Sequence, residues 1–107
     1  MSVPQILELN DLFRSTFIGG KVMMTEGVGN LAPDALAALV SGVRTFHAFN
    51  EDNDPHGEHD FGSIDVGEEK YFWKIDYYDH SLEFGSADPS DPTVTTRVLT
   101  IMRADEY

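Results

Sequence analysis

The sequence predicts an α+β domain: a mostly antiparallel four-stranded sheet packed with three helices, in the order α-β-α-β-β-β-α. Three observations lead there: two apolar stripes of helical period in the first half, alternation around Trp73, and an Asp-Pro helix start near the C-terminus. Residues 4–17 read as the first helix, with Ile6, Leu9, Phe13 and Phe17 on one face and Pro4 in the first turn. Gly19-Gly20 should stop it. Residues 21–25 form a short strand, closed by a turn at residues 27–30. From Pro33 a second helix presents Leu36, Leu39, Val40, Val43 and Phe46, with Asp34 near the positive end of its dipole.

Residues 50–60 offer no apolar position for a core and read as a loop. Strands at 61–66 and 71–78 flank a hairpin connection at residues 67–70. In the second of these, Trp73, Ile75 and Tyr77 alternate with Lys74, Asp76 and Tyr78, the pattern of a strand with one buried face. A further strand is expected at residues 82–85. Asp91-Pro92 then opens a third helix with Val94, Val98, Ile101 and Met102 as its stripe. Trp73, Ile75, Leu36, Leu39, Val98 and Ile101 are expected to share one core. The 107 residues suit a single acidic domain spanning 1–107, with no linker long enough to divide it.

Charge is the outstanding bulk property. Nineteen acids against seven bases give −12. Residues 50–91 hold thirteen of the acids and two bases, a net −11, whereas the remainder carries six acids and five bases, a net −1. Such a field repels nucleic acid and attracts basic surfaces or cations, so direct DNA or RNA binding is not expected. No apolar run approaches the ~20 residues that cross a bilayer, and no membrane association is expected. The N-terminus carries no basic-then-apolar signal pattern, and the chain has no Cys, which removes disulfides and thiolate chemistry. A cytoplasmic protein is the simplest expectation.

The densest polar cluster is Asp54-Pro55-His56-Gly57-Glu58-His59-Asp60. Imidazoles three residues apart with adjacent carboxylates are the ligand types of zinc, manganese or iron, so His56, His59 and Asp60 form a candidate metal set. The competing reading is a structured loop with side chains capping backbone groups and His59 packed at the sheet edge. An EF-hand register starting at Asp52 fails at position five (His56) and at position twelve (Ser63). No nucleophile elbow or phosphate loop occurs, no catalytic residue is nominated and no cofactor is expected. The aromatic row Tyr71, Phe72, Trp73, Tyr77 and Tyr78 could stack bases, but within so negative a segment core packing is the better account.

Long motifs run through the chain: Asn10-Asp11-x-Phe13-Arg14, Asn53-Asp54-Pro55-His56-Gly57-Glu58-His59-Asp60-Phe61-Gly62, Phe72-Trp73-Lys74-Ile75-Asp76-Tyr77-Tyr78-Asp79, Ser86-Ala87-Asp88-Pro89, Thr96-Arg97-Val98-Leu99-Thr100-Ile101-Met102 and terminal Glu106-Tyr107. Together they resemble a bacterial domain family of unknown function whose members occur on chromosomes, plasmids and other mobile elements. The resemblance spans nearly the whole chain and implies no activity. Arg103 departs from it, standing where similar proteins have a small or apolar residue.

The expectation that follows is a small acidic protein-interaction domain. Its finer form is an inhibitor of the anti-CRISPR or anti-restriction type, occupying a basic nucleic-acid-binding surface of a host defence complex through Glu51, Asp52, Asp54, Glu58, Asp60, Glu68 and Glu69. Lys and Arg that grip phosphates accept carboxylates equally well. The alternatives are a divalent-metal-dependent hydrolase using the His56/His59 loop and a generic interaction domain without catalysis. The partner's identity and the oligomeric state are not legible in the sequence.

Overall fold

The computed structural model describes residues 2–107. Over these residues the chain is α+β, with three helices and a four-stranded mixed sheet, the general arrangement that the patterning predicts. Helix α1 spans Val3–Thr16, capped by the Ser2 hydroxyl accepting from the Gln5 N–H. It ends earlier than the glycines suggest. Phe17 takes the left-handed conformation (φ 60°) and donates its N–H to the Phe13 carbonyl, closing the helix as a C-cap. Gly20 then begins strand β1 (Gly20–Met24). The expected turn at residues 27–30 is a single helical turn, α2 (Glu26–Gly29), and α3 spans Pro33–Arg44.

Strands β2 (Phe61–Val66) and β3 (Glu69–Tyr78) form the predicted hairpin, and Val66 pairs with Glu69 across a two-residue turn. Gly67 has φ 62° while Glu68 does not enter the positive region, so the turn is type II′, which requires glycine at that first position.

Two expectations are overturned. Residues 82–85 form no strand; only an isolated bridge joins Tyr78 to Gly85. The fourth strand is instead β4, Thr96–Arg103, where a helix is predicted. The segment holds Thr96, Val98, Thr100 and Ile101, β-branched residues that lose χ1 freedom in a helix and pack well on a pleated surface. Asp91 caps no helix: its Oδ1 accepts from the backbone N–H and hydroxyl of Thr93, forming a local turn.

The strand order is β1-β4-β3-β2, with β1 parallel to β4 and the other two pairs antiparallel. The core lies between one face of this sheet and the helices. It gathers Phe13 from α1, Val28 from α2, Leu39 and Val43 from α3, Tyr71, Trp73 and Ile75 from β3, and Leu99 and Ile101 from β4. Leu36 packs partly buried against it. Val98 does not join, because a strand has period two: Arg97, Leu99 and Ile101 point inward, and Val98 faces the other way. Gly62 makes room for the core, since a Cβ there would collide with the Trp73 indole and the Phe46 ring.

Candidate acidic face and its buried polar anchor

The acidic loop 50–60 is held by side chains from α1. Asn10 and Arg14 lie on the core-facing side of α1 with Ile6 and Phe13, and both are buried. Asn10 is fully enclosed and uses its whole amide. Its Nδ2 donates to the Glu58 carbonyl at 3.0 Å and to the Tyr77 hydroxyl at 2.8 Å, and its Oδ1 accepts from Arg97 Nε at 2.8 Å. The Tyr77 hydroxyl in turn donates to Glu58 Oε1 at 2.9 Å. Burial, reinforced by the Glu58 carboxylate, pushes the Tyr77 phenol well above the ordinary tyrosine range, so it stays protonated and keeps donating. Burial also lowers the Arg97 guanidinium from its ordinary value, against the opposing pull of Tyr77 and Glu58.

Arg97 reaches the second acidic loop as well. Its Nη2 donates to the Pro89 carbonyl, and its guanidinium lies 5.3 Å from the Tyr77 ring centroid. The Asn10–Arg97 pair therefore fastens residues 50–60 and residues 79–95 to one end of the sheet, where β3 ends and β4 begins.

His59 is the centre of a neighbouring set. Its backbone is left-handed (φ 55°), and its ring stacks on Phe49 at 3.8 Å with planes 4° apart. Its Nδ1 lies 2.9 Å from Asp11 Oδ1, and its Nε2 lies 3.7 Å from Asp54 Oδ2. An ionised carboxylate can only accept, so Nδ1 carries the proton. Arg14 donates to the same Asp11 oxygen and to the carbonyls of Val43 and Phe46, with its guanidinium over the Trp73 and Phe49 rings. Asp54, buried, accepts from the N–H groups of Glu58 and His59 through one oxygen.

The seven acidic-face residues thus separate into different roles. Asp54 spends its carboxylate inside the loop, and Glu58 spends its own on Tyr77 of β3. Asp60 is half-buried, and burial, with Glu58 nearby, raises its carboxyl above the ordinary range. Glu51 and Asp52 are exposed. Glu68 and Glu69 sit at the hairpin turn, separated from the loop by the six residues of β2, about 20 Å of strand. Glu69 there pairs with Arg103 at 3.0 Å. Arg103 also bonds Asp105 at 3.2 Å, while its backbone N–H is capped by Glu106, so this partly buried cation ends β4 held by carboxylates.

Two loops, rather than one loop and three strands, hold most of the charge. Residues 50–60 carry five acids and no Lys or Arg, and residues 79–95 carry four acids and none, together −9. In the second loop each of three carboxylates uses one oxygen to close a turn. Asp79 accepts from the Ser81 hydroxyl, Asp88 from Ser90 and Asp91 from Thr93. The bonds from Ser81 and Ser90 hold Asp79 and Asp88 below the ordinary carboxylate range, so both are charged at neutral pH.

The candidate metal set is not assembled. His56 is exposed, His59 turns inward to Asp11, and among the described residues no group of three His, Asp or Glu side chains is placed to hold a metal. Two surface depressions lie elsewhere. One, about 530 Å³, runs between α1 and α3 along Ser15, Val40 and Arg44; the other, about 290 Å³, is lined by Glu8, Leu9, Leu12 and Pro92. Among the described residues, no helix is long and apolar enough to cross a membrane.

The anchoring residues Asn10, Arg14, Tyr77 and Arg97 are absent from the sequence-predicted site. A signal for two of them is present: Asn10 follows Ile6 by four residues and Arg14 follows Asn10 by four, placing polar groups on the apolar stripe of α1. No curated protein and no solved structure matches the chain. A family model described as a protein of unknown function (DUF3768) matches residues 24–106, which include both acidic loops, Tyr77 and Arg97, and the chain belongs to that family.

Proposed function

We propose that this protein is a non-catalytic interaction domain that binds a basic surface of a larger partner through the end of the sheet formed by its two acidic loops. The finer reading is an inhibitor of the anti-CRISPR or anti-restriction type, in which the carboxylates take the place of phosphates in a nucleic-acid-binding groove. One observation carries it: nine acids without a Lys or Arg lie in two loops that Asn10 and Arg97 tie to the same end of the fold. Arg and Lys side chains that bind phosphate oxygens bind carboxylate oxygens with the same geometry. A pre-tied pair of loops also loses less conformational entropy on binding than free loops would.

The test is competition. Purified restriction and CRISPR effector complexes are loaded with a fluorescent DNA duplex and titrated with the protein. Displacement is expected, weakening steeply between 50 and 200 mM salt as exposed charges are screened beyond roughly 10 Å at 0.1 M. The triple reversal Glu51→Lys, Asp52→Lys and Glu83→Lys should abolish displacement, while Glu68→Lys at the far turn should leave it intact. No displacement from any complex, or displacement indifferent to salt and to the triple reversal, overturns the reading.

A further inference from the structure

The outer strand β1 presents an open edge. The Thr25 N–H donates to the Ile101 carbonyl, so by strand alternation Lys21 and Met23 share that orientation towards β4. The N–H and C=O groups of Gly20, Val22 and Met24 therefore point away from the sheet, and among the described residues none has a hydrogen-bond partner. The edge is also open to solvent. Gly20 is exposed, and in a glycine exposed surface is backbone surface. Met23 and Met24 are 54% and 40% exposed, and Ile18 just before the strand is 75% exposed. Edge strands are ordinarily blunted by charge, proline or a bulge. This one carries a single Lys21.

We propose that β1 is a self-association edge: two copies pair their β1 strands antiparallel about Val22, joining two four-stranded sheets into one of eight. This goes beyond the partner binding proposed above and uses a different surface. An open row of main-chain donors and acceptors is complemented by another extended strand, and three features point to a second copy. First, the outward-pointing residues are Gly20, Val22 and Met24, so a strand centred on Val22 meets its copy as Val22 opposite Val22 and Gly20 opposite Met24. Each facing pair exchanges two bonds, about six in all. Second, the side chains are self-complementary in that register. The smallest residue faces a long one on the helix side, and Lys21 faces Met23 of the other copy on the open side, so no like charges are opposed. Third, the edge is free of carboxylates: residues 12–25 contain none, in a chain of nineteen acids. Antiparallel pairing also sends the two acidic ends in opposite directions, because Gly20 lies beside Arg97 at the acidic end and Met24 beside Ile101 away from it. A two-fold, isologous contact of this kind closes at the dimer.

Sedimentation equilibrium and amide exchange on the full chain test it. The wild type should reach twice the chain mass, and dimerisation should tighten as salt rises, because each copy carries −12. Salt acts oppositely on the partner binding proposed above, so the two readings fail separately. On raising protein concentration, the Val22 and Met24 amides should become protected, while those of Lys21 and Met23, already bonded to β4, should not change. Met23→Lys, at an exposed site, sets Lys against Lys21 twice and should raise the dissociation constant at least tenfold. Adding Lys21→Glu to that variant sets opposite charges face to face and should restore dimerisation. A wild type that stays monomeric at millimolar concentration overturns the proposal. So does a dimer whose Val22 amide exchange is independent of concentration, or one indifferent to both substitutions.

Discussion

Arg97 donates through Nε to the Asn10 side-chain oxygen at 2.8 Å, joining two residues 87 positions apart inside a closed part of the fold. Each also donates to a different acidic loop, Asn10 to the Glu58 carbonyl and Arg97 to that of Pro89. A buried arginine is costly unless every direction around it is satisfied. Here the amide takes Nε, the carbonyl takes Nη2 and the Tyr77 ring lies against the guanidinium.

Asn10→Ala should therefore be among the more damaging single changes in the molecule. It leaves Arg97 Nε and the Glu58 carbonyl without partners in a buried site, and the expected loss is about 2–4 kcal/mol of unfolding free energy. Urea denaturation measures it. Arg97→Lys, which lacks the guanidinium fork, should destabilise too, and the double variant should lose less than the sum because both act on one network.

His59 holds a left-handed backbone with a full side chain, and the Phe49 stack and the Asp11 bond compensate for that geometry. His59→Ala removes the compensation and keeps the steric cost. His59→Gly removes both. The glycine variant should be the more stable of the two by roughly 1 kcal/mol, although both fall below the wild type. Parallel denaturant curves decide the order, and an alanine variant equal to or better than glycine would contradict a left-handed residue 59.

Asp60 is raised by burial and by Glu58, so the folded protein holds its proton more tightly than the unfolded chain does. The folded state then binds more protons, and this residue's contribution to stability declines as pH rises from the ordinary Asp range through its higher folded value. Asp60→Asn should remove that decline. The variant's melting temperature, relative to wild type, should be higher at pH 7 than at pH 4. Asp79, Asp88 and Glu106 shift the other way, lowered by hydrogen bonds to Ser81, Ser90 and Thr25, so they produce loss of stability on acidification in both proteins.

The local elements with one dominant period were legible in the sequence. Residues 4–17 and the segment from Pro33 read as helices because apolar residues recur every three to four positions, and alternation placed Trp73 and Ile75 on the buried face of β3. The lopsided charge was equally plain, since it needs only counting. Residues 96–103 defeated that reasoning: Val98, Ile101 and Met102 fit a helical stripe, while Arg97, Leu99 and Ile101 fit a strand. The choice belonged to the neighbours, because β4 is hydrogen-bonded on both sides, to β1 and β3, and a central slot in a sheet outweighs a local preference. Tertiary structure likewise decided what each carboxylate does. Glu51 and Glu58 look alike along the chain. Only the approach of Tyr77, nineteen residues from Glu58, turns one of them inward and leaves the other to the solvent.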